Sequence, residues 1–98
     1  LVYFEGDTVG RDFEEAAKWV AMAAERGHSD AQFVLGQFYK TGCGVEKDID
    51  TAVDWLVSAA MGGSKSARIL LGNMYATGDG VRADRDEADR WYDMADGN

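Results

Sequence analysis

The chain has 98 residues, 46% of them apolar, with no proline, one cysteine and a net charge of −8. That charge repels nucleic acid and anionic lipid surfaces, no run approaches the roughly 20 apolar residues that span a bilayer, and a single cysteine forms no intramolecular disulfide. The acidic residues are scattered without an unbroken run, which reads as a solvated helical surface and is also compatible with a basic partner.

The same pattern then returns along the chain at a fixed offset. Trp19, Trp55 and Trp91 are spaced by 36 residues, and so are Tyr3, Tyr39 and Tyr75, Gly6, Gly42 and Gly78, and Asp12, Asp48 and Asp84. A period between 20 and 50 residues marks stacked units that cannot bury their apolar faces alone. The expected fold is all-α: an α-α superhelix, or solenoid, of stacked antiparallel hairpins with about two and a half 36-residue repeats. It forms a single domain over 1–98, with a partial repeat at 1–30 and repeats at 31–66 and 67–98. The chain opens at Leu1 in mid-repeat, which leads us to expect a fragment of a longer solenoid.

Five helices are predicted. The first, over 12–26, follows a turn at Gly6 to Val9 and opens on Asp12, whose partner Glu15 lies three residues on in a capping box. The second, over 30–41, sets Ala31, Leu35, Phe38 and Tyr39 on one face. It stops at Thr41-Gly42-Cys43-Gly44, where glycine supplies the left-handed conformation that ends a helix. Gly36 lies inside this helix, as Gly72 lies inside the fourth; each costs roughly 1 kcal/mol against alanine, which argues for a helix contact too tight for a Cβ.

The third helix, over 48–61, starts at the Asp48 cap and shares one face among Ala52, Trp55, Leu56, Ala59 and Ala60. Gly62-Gly63-Ser64 closes the unit, as Gly27-His28-Ser29 closes the one before. The fourth and fifth, over 66–77 and 84–95, repeat the pattern, with a second capping box at Asp84 and Glu87. All three tryptophans are expected in the core, with Trp55 in the most enclosed unit.

The order Ala31, Leu35-Gly36, Tyr39, Gly42, Gly44-Val45, Asp48, Ala52, Trp55, Ala59-Ala60, Gly63, repeated from Ala67 to Ala95, resembles the Sel-one-like repeat (SLR), a relative of the tetratricopeptide repeat. The departures are Thr8 for the second turn glycine, Leu56 for an aromatic, and Asp96 for an alanine. The resemblance implies a right-handed superhelix and a protein-interaction scaffold or adaptor that binds rather than turns over. A bacterial periplasm or envelope and a cytoplasm are equally compatible with it.

By the same resemblance, the first helix of each unit lines a concave groove that holds a peptide or partner protein. The groove positions are Leu1, Phe4 and Glu5, then Phe33, Gln37 and Lys40, then Ile69, Asn73, Ala76 and Thr77. Phe33 is expected as an exposed aromatic anchor, and Gln37 and Asn73 as amides that donate to and accept from a peptide backbone.

The residues for other chemistry are sparse. His28 is the sole histidine and stands in a turn, without a partner base or nucleophile. Asp79, Asp84, Asp86 and Glu87 lack the ligand spacing of a calcium loop and read as helix caps. Cys43 sits between turn glycines as an incidental thiol. No catalytic residue, cofactor or metal is expected. The alternatives are a structural spacer or an oligomerisation module, with self-association through the N-terminal face, or a non-catalytic part of an enzyme.

Overall fold

The computed structural model describes the backbone of residues 5–96 and the side chains of 12–96. Five helices follow in order: α1 (Glu5–Glu25), α2 (Ser29–Thr41), α3 (Ile49–Met61), α4 (Lys65–Thr77) and α5 (Arg85–Ala95). No strand occurs among the described residues. α2 packs with α3 and α4 with α5 as hairpins, while α1 lies on α2 and α3 on α4, which makes a stacked array 45 × 28 × 22 Å in extent.

The two hairpin turns are copies of each other down to their hydrogen bonds. The amides of Gly42 and Cys43 both donate to the Phe38 carbonyl, and those of Gly78 and Asp79 to that of Met74. The Asp48 amide donates to Tyr39 O and the Asp84 amide to Tyr75 O, each at 2.9 Å, which fixes the start of the second helix against the end of the first. Gly42, Gly44, Gly78 and Gly80 all take φ between +73° and +78°, a region costly for any residue with a Cβ.

The Asp48 carboxylate accepts from the Thr51 amide and hydroxyl, and Asp84 from the Glu87 amide. Those bonds from Thr51 hold the Asp48 carboxyl below its usual range. A folded-state pKa lowered in this way makes the cap fully effective above the unfolded carboxylate range, and its contribution fades as pH falls through the lowered value. The expected capping box at Asp84 is only half made: the Asp84 amide is committed to Tyr75 O, and Glu87 pairs instead with Arg90 at 3.3 Å.

The first helix departs from expectation. Instead of a turn at Gly6 to Val9 and a cap at Asp12, α1 runs unbroken through both, so Asp12 is an interior helical residue and Glu15 pairs with Lys18. Thr8 accounts for the difference: it occupies the place where Gly44 and Gly80 adopt positive φ, which a β-branched residue resists, so the second left-handed step is lost.

Leu56, Ala59, Ala60, Ala67, Leu71, Met74 and Trp91 form the core cluster, which lies among α3, α4 and α5. The glycines inside α2 and α4 mark the tightest approaches. A Cβ on Gly36 would lie 2.8 Å from Leu56 Cδ2, and one on Gly72 2.5 Å from the Tyr92 ring. The tryptophans do not share one environment: Trp91 is 8% exposed, Trp55 is half-buried and Trp19 is 67% exposed. Equal sequence positions therefore end in unequal burial, and the most enclosed indole is Trp91 rather than Trp55.

One contact joins the units through a side chain the repeat pattern does not reveal. Arg68, in the first turn of α4, donates from Nε to Ala60 O at 2.8 Å and from Nη1 to Met94 O at 3.0 Å, so one guanidinium ties the ends of α3 and α5. Gln32 holds the equivalent place in α2 and reaches only Ala24 O. Arg68→Ala is expected to cost about 2–3 kcal/mol, since hydrogen bonds from a charged donor contribute about 1.5–3 kcal/mol and two carbonyls lose theirs. Arg68→Gln, which restores the Gln32 arrangement, is expected to cost about half as much; urea unfolding monitored by circular dichroism measures both.

Candidate partner-binding face

The exposed face of α2 and α4 is built from residues one turn apart. Phe33, Gln37 and Thr41 lie along α2, and Ile69, Asn73 and Thr77 lie at the same positions along α4. The last hydroxyl of each row bonds back into its own helix: Thr41 Oγ1 to Gln37 O and Thr77 Oγ1 to Asn73 O, both at 2.9 Å. The rows thus present amide side chains in the middle, and both Gln37 and Asn73 are exposed. Asn73 Oδ1 accepts from the Tyr92 hydroxyl of α5, an arrangement that turns its NH₂ group away from that contact.

The other groove positions fall in different surroundings. Lys40 is half-buried and reaches across to Asp79 in the turn after α4 at 2.9 Å. Ala76 is half-buried and Ile69 is 40% exposed. Phe33 is half-buried and packs against the core cluster, so it is a wedge between helices rather than the exposed anchor expected. Its apolar counterpart Ile69 is the more accessible of the pair. Leu1 and Phe4 lie outside the described residues, and Glu5 opens α1 in a segment whose side chains are not described.

A cleft of about 930 Å³ lies away from this face, between the start of α3 and the turn before α5. Asp50, Asp54 and Asp84 line it beside Val53, Tyr75 and Arg82. His28 precedes α2 without a side-chain cap bond, whereas Ser64 at the equivalent place caps α4 by accepting from Ala67 N. Among the described residues, no group of three or more His, Cys, Asp or Glu stands close enough to hold a metal ion, and no helix is long and apolar enough to cross a membrane.

Antiparallel helical hairpins, fixed by repeated turn bonds and sharing one core across unit boundaries, define a helical-repeat solenoid. The Sel1 repeat family model matches residues 1–28, 29–64 and 65–95, and the chain belongs to that family. Among solved structures, it is similar to a Sel1 repeat protein from Oxalobacter formigenes. The two share 40% identity and a TM-score of 0.81, over 86% of this chain and 34% of that one. It is also similar to c5321, described as a protective antigen of uropathogenic Escherichia coli strains with an SLR fold. There the identity is 37% and the TM-score 0.80, over 86% of this chain and 18% of the other. The chain therefore spans about a third of the first structure and under a fifth of the second. No curated protein matches it.

Proposed function

We propose that this chain is a protein-interaction scaffold whose working surface is the exposed face of α2 and α4, and that it performs no catalysis itself. The observation that carries this reading is the division of labour between repeated and varied positions. The residues that recur at the 36-residue offset form the turns, the caps and most of the helix contacts, whereas Gln37 and Asn73 differ between copies and face solvent. Variation where packing is not at stake permits recognition to diverge, and amides that both donate and accept suit a peptide backbone.

A partner with cationic side chains fits better than an anionic one. The chain carries −8 overall, and Lys40, the cation among the groove positions, is already paired with Asp79. A spacer or oligomerisation role would place the contacts on the solenoid ends and leave the α2–α4 face without a function.

The test uses a partner captured by the intact chain and then purified, with affinity measured by calorimetry. Gln37→Ala combined with Asn73→Ala is expected to weaken binding at least about tenfold, or about 1.4 kcal/mol, while the melting temperature stays within a few degrees. Full affinity in the double variant would remove the face from consideration. Phe33→Ala is unsuitable as a reporter, because its ring also supports the core.

A further inference from the structure

The two amides in the middle of the α2–α4 face are not held alike. Tyr92 of α5 corresponds, at the 36-residue offset, to Leu56 of α3. Both side chains lie over the internal glycine of the preceding helix: a Cβ on Gly72 would stand 2.5 Å from Tyr92 Cε1, and one on Gly36 2.8 Å from Leu56 Cδ2. The glycine thus opens the passage by which the Tyr92 ring crosses α4, and the hydroxyl at its far end reaches the next side chain, Asn73. Leu56 ends in methyl groups and gives Gln37, the counterpart of Asn73, nothing to bond to.

The Tyr92 oxygen lies 2.5 Å from Asn73 Oδ1. That separation fits an O–H···O bond, whereas N–H···O bonds run to roughly 2.7–3.2 Å, so the carboxamide turns its oxygen to the phenol and its NH₂ outward. One turn on, Thr77 gives its hydroxyl proton to the Asn73 backbone carbonyl at 2.9 Å, which leaves Oγ1 with lone pairs alone. Both side chains are exposed, and α4 therefore shows a donor at Asn73 and an acceptor at Thr77.

We propose that Tyr92 is a positioning residue: by fixing the Asn73 amide it makes α4 a reader of extended peptide backbone, with a partner carbonyl on Asn73 and a partner N–H on Thr77. Four residues of helix rise about 6 Å, close to the roughly 6.6 Å between alternate residues of a strand, whose peptide groups point the same way. A partner helix does not suit this pair, because its backbone groups are spent on each other. α2 lacks the fixed donor, so the recognition is directional at α4 and adaptable at Gln37. The inference rests on the α2–α4 face being the working surface.

The chain alone gives the first readout. Tyr92→Phe keeps the ring over Gly72 and removes only the hydroxyl, so in nitrogen-labelled protein the side-chain NH₂ signals of Asn73 are expected to move and those of Gln37 to stay. Binding is then measured with the partner purified for the Gln37 and Asn73 test, trimmed to the shortest peptide that retains its affinity. Asn73→Asp keeps the oxygen that Tyr92 bonds and deletes the donor, while Gln37→Glu adds the same charge to the same face without removing a fixed donor. Asn73→Asp is expected to bind about tenfold more weakly than Gln37→Glu, and Tyr92→Phe about three- to fivefold more weakly than the parent chain. Equal losses for the two acidic variants, Asn73 signals unmoved by Tyr92→Phe, or a peptide that is helical when bound would overturn the inference and leave the face in place. Full affinity after Gln37→Ala combined with Asn73→Ala removes the face, and this inference with it.

Discussion

Trp91→Ala is expected to lower the unfolding free energy by about 3–5 kcal/mol, the range for deleting a large ring from a packed core. The ring is 8% exposed and lies in the cluster that joins α3, α4 and α5, so its loss opens a cavity bounded by elements of both complete hairpins. The same substitution at Trp19 is expected to change stability by less than about 0.5 kcal/mol, because that indole is largely in water. Trp91→Phe separates size from polarity. The Trp91 Nε1 group is buried without a hydrogen-bond partner, a state that costs about 1–3 kcal/mol, and phenylalanine removes it along with part of the volume. The phenylalanine variant should therefore fall well short of the alanine one in a denaturant series. Equal losses at positions 19 and 91 would contradict the burial pattern.

The second large effect is expected at Gly44. Its φ of +73° already costs a residue with a Cβ about 1–2 kcal/mol, and a methyl there would lie 2.6 Å from the Phe13 carbonyl carbon and 3.0 Å from the Glu14 amide nitrogen. Those are backbone atoms of α1 and can move only with their helix, which adds about 1–3 kcal/mol of overpacking. Gly80 has the same backbone conformation, but its methyl would meet Cγ2 of the Ile49 side chain at 2.8 Å rather than the backbone of another helix, and a side chain at a helix start shifts at less cost. Gly44→Ala is thus expected to lower the melting temperature by at least about 10 °C, at roughly 4–8 °C per kcal/mol, and Gly80→Ala by about half as much. A larger drop for Gly80→Ala would show that the turn does not bear on α1.

Turn and cap chemistry was readable in the sequence because it is local. Paired glycines, the second of them four residues ahead of an aspartate, determine their own geometry, and both complete hairpins obey them. Thr8 was visible as a departure, yet its result, a helix that continues through the expected turn, depends on how much strain a β-branched residue resists. Burial was less readable because it belongs to neighbours. Trp19 has the sequence surroundings of Trp91 and ends in water, since nothing described lies on its side of α1. Phe33 varies between copies, which suggests exposure, but its counterpart is Ile69, so both copies keep an apolar group there, and that is the sign of packing. Arg68 carries no repeat signal, because its counterpart at the 36-residue offset is Gln32. The two share only length and the ability to donate, and the carbonyls they reach lie across a unit boundary.

That guanidinium gives the array uneven stiffness. Neither α3 nor α5 carries a basic residue in its last turn, so Arg68 is the cation that meets the negative ends of both, while it sits in the first turn of its own helix, where a positive charge is unwelcome. It serves its neighbours at the expense of α4. The joint between the last two units is therefore braced by a charged fork with two attachments, and the joint between α1 and α2 by one neutral bond from Gln32. Under bending, such a rod yields first near its α1 end and moves α3, α4 and α5 as one block.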